Sequence, residues 1–449
     1  MYISDSLKKH IKTEKASFHM PGHKGGAAFF GTPFENELLS FDVTEVGGTD
    51  CLASPKEAIA QSEQKAAKLY GAKSAFYLVN GSTCGILSMF FAFFKEGDSV
   101  IVDRSCHISA VNALVLCGLN PVYVSQNIDE KRGVPSGITA DKIKKMLEEY
   151  PDVKGVFITS PNYYGMMSEV EKIAELAHEK GIVLLVDEAH GAHFPFSNRL
   201  PKSAISMGAD AAVVSLHKSL PCPNQTALLL INDEKMAEKM QKAINVFQTT
   251  SPSYMLLVYI EAALDMAEKQ GKELTDRLLK YLKPFSRYQT EDPFKLLLTF
   301  SQNGITGYEA EKILKEKFGI YAELCDNKNV LLMTSWGNSF QDFELLAMAI
   351  NHIKDIKKEP KESKITTEFN EGKPELSPKI ALNSECEWIL PKDSVGRIAA
   401  ASVTAFPPCI PVLLPGEKIS KKQADEVEYM ILQKTAEGIR DGKICVIKE

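Results

Sequence analysis

The stretch AAVVSLHKSLP, Ala211 to Pro221, decides how this chain is read. An apolar run, AAVVSL, delivers His217 and Lys218, and Pro221 follows. Lysine is seldom fully buried unless something pairs with it. A strand that enters a core and ends in His-Lys therefore presents an amine at a sheet edge. Other apolar runs surround it. SAFYLV, DSVIVD, NPVYVS, KGVFITS and IVLLVDE precede it, and TALLLIN follows. Helical or polar segments separate the first five. Near-continuous apolar strands alternating with helices predict an α/β fold, with a mostly parallel sheet covered on both faces. In such sheets active sites gather at the carboxyl ends of the strands.

Four strand ends carry unusual residues. After AFYLV comes NGSTCG, in which Gly81, Ser82 and Thr83 open a helix. Backbone N–H groups and hydroxyls at a positive dipole end make a cradle for an anion or phosphate. After DSVIVD comes RSCHIS, with His107 at the start of the next helix. After IVLLV comes DEAHGAH, in which Asp187 ends a buried strand and requires a cation or hydrogen bonds. The spacing of His190 and His193 beside Asp187 and Glu188 also has metal-ligand character. After AAVVSL comes His217-Lys218.

Together these residue types suit one cofactor, pyridoxal 5′-phosphate, and that reading is preferred to a metal. Its phosphate needs a dipole cradle. Its pyridine nitrogen stays protonated only beside an anion, for which Asp187 is suited. Its aldehyde needs an amine, and a partly desolvated lysine is a nucleophile. Its ring needs a flat partner, which His107 supplies.

At this point the chain resembles the fold-type-I pyridoxal-phosphate decarboxylases of ornithine, lysine and arginine, in their short bacterial form. The matching stretches are HMPGHKGG, FDVTEVGGTD, NGSTCG, DRSCHIS, TSPNYYG, DEAHGAHF, SLHKSLP and FPPCIPVLLPGE, spread from about residue 19 to 417. The resemblance implies that Lys218 forms the internal Schiff base, that Asp187 pairs with the pyridine nitrogen and that His107 stacks on the ring. It implies that Ser82 and Thr83 hold the phosphate, with Ser215 and His217 on the phosphate side and His190 beside the cofactor. It implies a homodimer or higher homo-oligomer, in which the HMPGHKGG arm with His19, His23 and Lys24 helps to build the neighbour's site. The activity it implies is decarboxylation of arginine, lysine or ornithine to the polyamine or diamine. Another fold-type-I enzyme, an aminotransferase or lyase, and a cofactor-binding protein without turnover and with a regulatory role remain the alternatives.

The far cation of a basic substrate needs an anion. Asp42, Glu45 and Asp50 are candidates, and Glu417 is preferred because Pro407, Pro408, Pro411 and Pro415 stiffen its approach and Gly416 allows a sharp turn. Five segments are expected: an arm (1–50), a large cofactor-binding domain (51–285), a small α/β domain (286–356), a charged linker (357–378) and a C-terminal domain (379–449). In the large domain, Ser54 is expected to cap the helix in SPKEAIAQSEQKAAKLYG, with Gly71 at its end. A net charge of −6 argues against a nucleic-acid partner. No apolar run approaches a membrane span. The cysteines form no CxxC pair, which suggests reduced thiols and a cytoplasmic protein.

Overall fold

The structure, a computed structural model, describes residues 15–18, 50–356, 358–359, 370–405 and 410–448. His19, His23, Lys24, Asp42, Glu45 and most of the expected linker lie outside the described residues.

All seven apolar runs form strands of one sheet. They are β1 (Ser74–Leu78), β2 (Ser99–Asp103), β3 (Asn120–Val124), β4 (Gly155–Thr159), β5 (Val183–Asp187), β6 (Ala211–Ser215) and β7 (Ala227–Ile231). The spatial order is β1-β7-β6-β5-β4-β2-β3. Only β7 runs antiparallel, against both β6 and β1. The cause is its connection. Residues 216–226 hold a single four-residue helix, too short for the crossover that parallel neighbours require. Lys218 therefore sits in a tight hairpin connection, closed by Leu216 N–H donating to Thr226 O at 3.0 Å.

Successive strand residues point to opposite faces. Val213 joins a core with helices α2 (Gly81–Phe93), α3 (Ile108–Cys117) and α7 (Ala237–Phe247). Its neighbour Val214 joins the core on the other face, with α1 (Ala58–Tyr70), α4 (Ala140–Glu149), α5 (Val170–Glu179) and α8 (Tyr254–Leu282). The short helix after β6, α6, is Leu216–Ser219. Gly71 ends α1 in the left-handed conformation, as the sequence suggests. Ser54 does not cap it. The Asp50 carboxylate reaches over instead and accepts from the N–H groups of Lys56, Glu57 and Ile59.

The small domain pairs β8 (Lys295–Thr299) and β9 (Leu324–Cys325) on either side of β10 (Asn329–Met333). Helices α9 (Gly307–Phe318) and α10 (Phe340–Asp355) each begin with a capping box, Thr306 with Glu309 and Ser339 with Asp342. Ala16–Ser17 adds a short parallel strand against Ile320–Tyr321. The C-terminal residues follow α11 (Pro378–Asn383) and build a separate apolar cluster around Val403, Leu413, Val427 and Ile444. It lies among β11 (Cys386–Ile389), β12 (Val403–Ala405), β13 (Ile410–Leu413), α12 (Lys421–Gln433), β14 (Ala436–Glu437) and β15 (Ile444–Ile447).

Candidate active site

At the carboxyl end of β1 the chain turns at Gly81, whose φ of +74° favours glycine. Among the described residues no N-cap side chain closes α2, and its first N–H, that of Gly81, donates to Gln225 O at 2.8 Å. Gly85 brings α2 down on the sheet: a Cβ there would lie 2.6 Å from Val213 Cγ2. This approach lets the Ser215 hydroxyl, at the end of β6, bond the Ser82 hydroxyl at 2.9 Å. Thr83 is exposed beside them.

The turn after β2 is tight, with Cys106 N–H donating to Asp103 O at 3.0 Å. His107 then caps α3, its Nδ1 accepting from Ser109 N–H at 3.2 Å. Burial, and then the charge of Lys218, push His107 down to about 4, so the ring is neutral at ordinary pH with its proton on Nε2. Asp103 accepts from Gln126 Nε2 at 2.7 Å, and Gln126 Oε1 accepts from Asn162 Nδ2 at 2.8 Å. The turn carrying His107 is thereby tied to the loop after β4.

Asp187 ends β5 almost fully buried, with Oδ1 accepting from Ala189 N–H at 3.0 Å. Burial pushes its carboxyl up, while Lys218 and that N–H hold it back. It has no ion pair among the described residues. Glu188 beside it differs: one oxygen accepts from Ala204 N–H and the other has no partner, and burial pushes its carboxyl well up. Glu188 is thus held by the loop that carries Ala204.

Lys218 Nζ lies 3.1 Å from His190 Nε2. Burial, with the charges of Lys218 and Lys295 next, pushes His190 far down. The Tyr163 ring meets His190 edge-on at 4.9 Å, and Tyr163 donates its hydroxyl to Glu323 of the small domain. Lys295, fully buried at the start of β8, donates to Tyr163 O at 2.8 Å and Asn162 O at 3.3 Å. His217 Nδ1 lies 3.2 Å from Thr226 O.

The structure thus brings together Gly81, Ser82, Thr83, His107, Asp187, His190, Ser215, His217 and Lys218. His193 is elsewhere occupied: it bonds Asp292 at 3.0 Å and stacks on Phe294, so the two histidines do not share a ligand. Among the described residues no cluster of three or more His, Cys, Asp or Glu side chains is arranged to hold a metal ion.

Two carboxylates expected to meet a substrate cation are engaged in other ways. Asp50 caps α1. Glu417 is 2% exposed, and Arg104 engages both its oxygens, Nε to Oε1 at 2.6 Å and Nη2 to Oε2 at 2.8 Å. In this geometry neither is a free anion. Sequence reasoning missed Lys295, Tyr163 and Arg104. Arg104 lay in a quoted motif, and Lys295 could have been flagged as a lysine heading the buried run LLLT.

The geometry defines a class: an α/β enzyme with an amine, a buried acid and an anion cradle at one sheet edge. Comparison identifies the family. Residues 3–288 match the Orn/Lys/Arg decarboxylase major domain, and residues 365–438 match the C-terminal domain of the same family. An arginine decarboxylase of Halalkalibacterium halodurans is 33% identical, covering 92% of this chain and 89% of its own. One of Bacillus subtilis is 32% identical, covering 93% and 90%. The solved constitutive lysine decarboxylase of E. coli superposes with a TM-score of 0.75 at 20% identity, covering 99% of this chain and 81% of its own, which shows the fold. This chain belongs to the Orn/Lys/Arg decarboxylase family. It is an amino-acid decarboxylase acting on a basic amino acid.

Proposed function

We propose that the enzyme converts arginine to agmatine and carbon dioxide with pyridoxal 5′-phosphate bound at Lys218. One observation carries the reading: the uncapped α2 terminus, buried Asp187 and the Lys218–His190 pair meet at one sheet edge. Arginine is supported by the relatives at 32–33% identity that bear the name arginine decarboxylase.

The residues fit the cofactor on their own chemistry. Asp187 is a buried acid without an ion pair among the described residues, and a protonated pyridine nitrogen supplies the missing cation. Ser82, Thr83, Ser215 and the N–H groups of the first turn of α2 after Gly81 suit the phosphate, with His217 on that side. Neutral His107 offers a flat face to the ring without opposing charge. When bound, the cofactor accepts the electron pair left as the carboxylate departs.

The chain's own groups manage charge and protons. Asp187 stabilises positive charge in a site that excludes water, where an electrostatic partner is strongest. His190 bonds Lys218 and steers its amine. Lys218 Nζ and His190 Nε2 form the couple that returns a proton to the α-carbon. The interlock of Lys295 and Glu323 with the Tyr163 loop braces this couple from the small domain.

The deciding experiment incubates the purified, cofactor-loaded protein with arginine, lysine and ornithine. Agmatine and carbon dioxide formed fastest from arginine support the proposal. Keto acid without carbon dioxide indicates an aminotransferase. A coloured protein inert to all three supports the regulatory alternative.

A further inference from the structure

The Arg104–Glu417 pair joins the C-terminal domain to the turn that carries His107. Arg104 is fully buried, two residues before Cys106 and three before His107. Beyond its two bonds to Glu417, Nη1 donates to Pro411 O at 2.8 Å and Nη2 to Val412 O at 3.0 Å. Its guanidinium lies 5.7 Å above the Tyr123 ring on β3. Its backbone N–H donates to Val124 O at 2.9 Å. Glu417 is fixed from its own side as well, with Oε2 accepting from Leu414 N–H at 3.1 Å.

A bidentate guanidinium–carboxylate bond has one productive orientation. Apart from Arg104, the groups that bond the Glu417 carboxylate, Leu414 N–H and Gln423 Nε2, and both acceptor carbonyls belong to residues 411–423. The turn from 104 to 107 is therefore seated by the C-terminal domain as well as by the sheet. Surface contacts between these regions lack this rigidity. Lys379 reaches Glu96 at 2.6 Å, but the Glu96 side chain is 75% exposed and that of Lys379 44%.

We propose that Glu417, acting through Arg104, is a positioning residue for the cofactor site: the C-terminal domain sets the place of His107. The inference rests on the reading of His107 as a cofactor-contacting residue, and the test separates the two. Glu417→Gln removes the charge and keeps the shape. Glu417→Asp keeps the charge, shortens the reach and serves if the first variant does not fold. Lys379→Ala is the control for domain contact away from the turn.

Two quantities are measured for each: hydrogen exchange of amides 104–109 in the cofactor-free protein, and the dissociation constant for pyridoxal 5′-phosphate. Faster exchange at 104–109 in the Glu417 variants, with binding weakened at least about 5-fold, is expected, because couplings between linked sites commonly reach that size. Lys379→Ala should change neither. Unchanged exchange at the turn overturns the inference. Faster exchange with unchanged binding also overturns it. His107→Ala, measured in parallel, then shows which reading failed: weakened binding faults the proposed clamp alone, and unchanged binding faults the role of His107.

Discussion

Lys295→Met should change how stability depends on pH. Lys295 is 2% exposed, and burial pushes its ammonium down to about 7, with Asp292 and Glu323 opposing and Lys218 assisting. An unfolded lysine titrates near 10.4. Between those values the unfolded chain binds more protons than the folded one, so stability rises with pH. The contribution from this group spans about 4–5 kcal/mol in total, of which about 2 kcal/mol falls between about pH 7 and pH 9. Methionine retains the apolar stem and cannot titrate. It also leaves the carbonyls of Asn162 and Tyr163 without this donor, at a cost of about 1–3 kcal/mol each that does not vary with pH. The absolute stability of the variant is therefore a poor readout, and the slope is the informative one. Urea denaturation of both cofactor-free proteins across this range gives that slope, because other titrations are common to both. The parent should gain about 2 kcal/mol over Lys295→Met as pH rises. Parallel curves would refute the reasoning. Such curves would show that Asp292 and Glu323 hold Lys295 protonated through this range.

Lys218→Ala should fold and lose all turnover, and borohydride reduction of the parent should fix the cofactor to Lys218; label on another lysine would sink the assignment. Asp187→Asn should lower kcat by at least ~10²-fold, since one preorganised electrostatic partner is worth roughly 2.7–4 kcal/mol; steady-state kinetics near the parent's would place the cation's partner elsewhere. Gly85→Val should lower the melting temperature and weaken cofactor binding, because any Cβ there meets Val213 and Leu78 and lifts α2 from the sheet; a calorimetric scan that matches the parent's would count against the close approach. Lys218→Ala subunits mixed with subunits carrying His23→Ala and Lys24→Ala should regain activity if two chains share a site, and no rescue despite proven exchange would argue for separate sites.

The strands were legible because each is a short apolar run bounded by polar residues, and burial on both faces demands that pattern. Much of the candidate site was legible for a related reason. Groups placed just after such runs are carried to one edge by topology alone. The reversed direction of β7 escaped notice because it depends on the length of residues 216–226, which hydrophobic period does not report. Ser54 looked like a cap because local rules see adjacent residues, whereas Asp50 reaches back across several positions. Glu417 was read as a free anion since its partner, Arg104, lies 313 residues away. Lys295 drew no reading from the sequence, since a lysine at the head of a strand ordinarily keeps its head in water. Only the docking of the small domain on the Tyr163 loop buries it.

The 313-residue span of the Arg104–Glu417 contact also sets an order of events during synthesis. At about 5–20 residues per second, the ribosome needs roughly 15–60 s to add Glu417 after Arg104. Through that interval the strands of the large domain are already available to pair, but the carboxylate that grips the Arg104 guanidinium with two oxygens has not yet been made. A chain cut short before Glu417 lacks that two-point grip permanently.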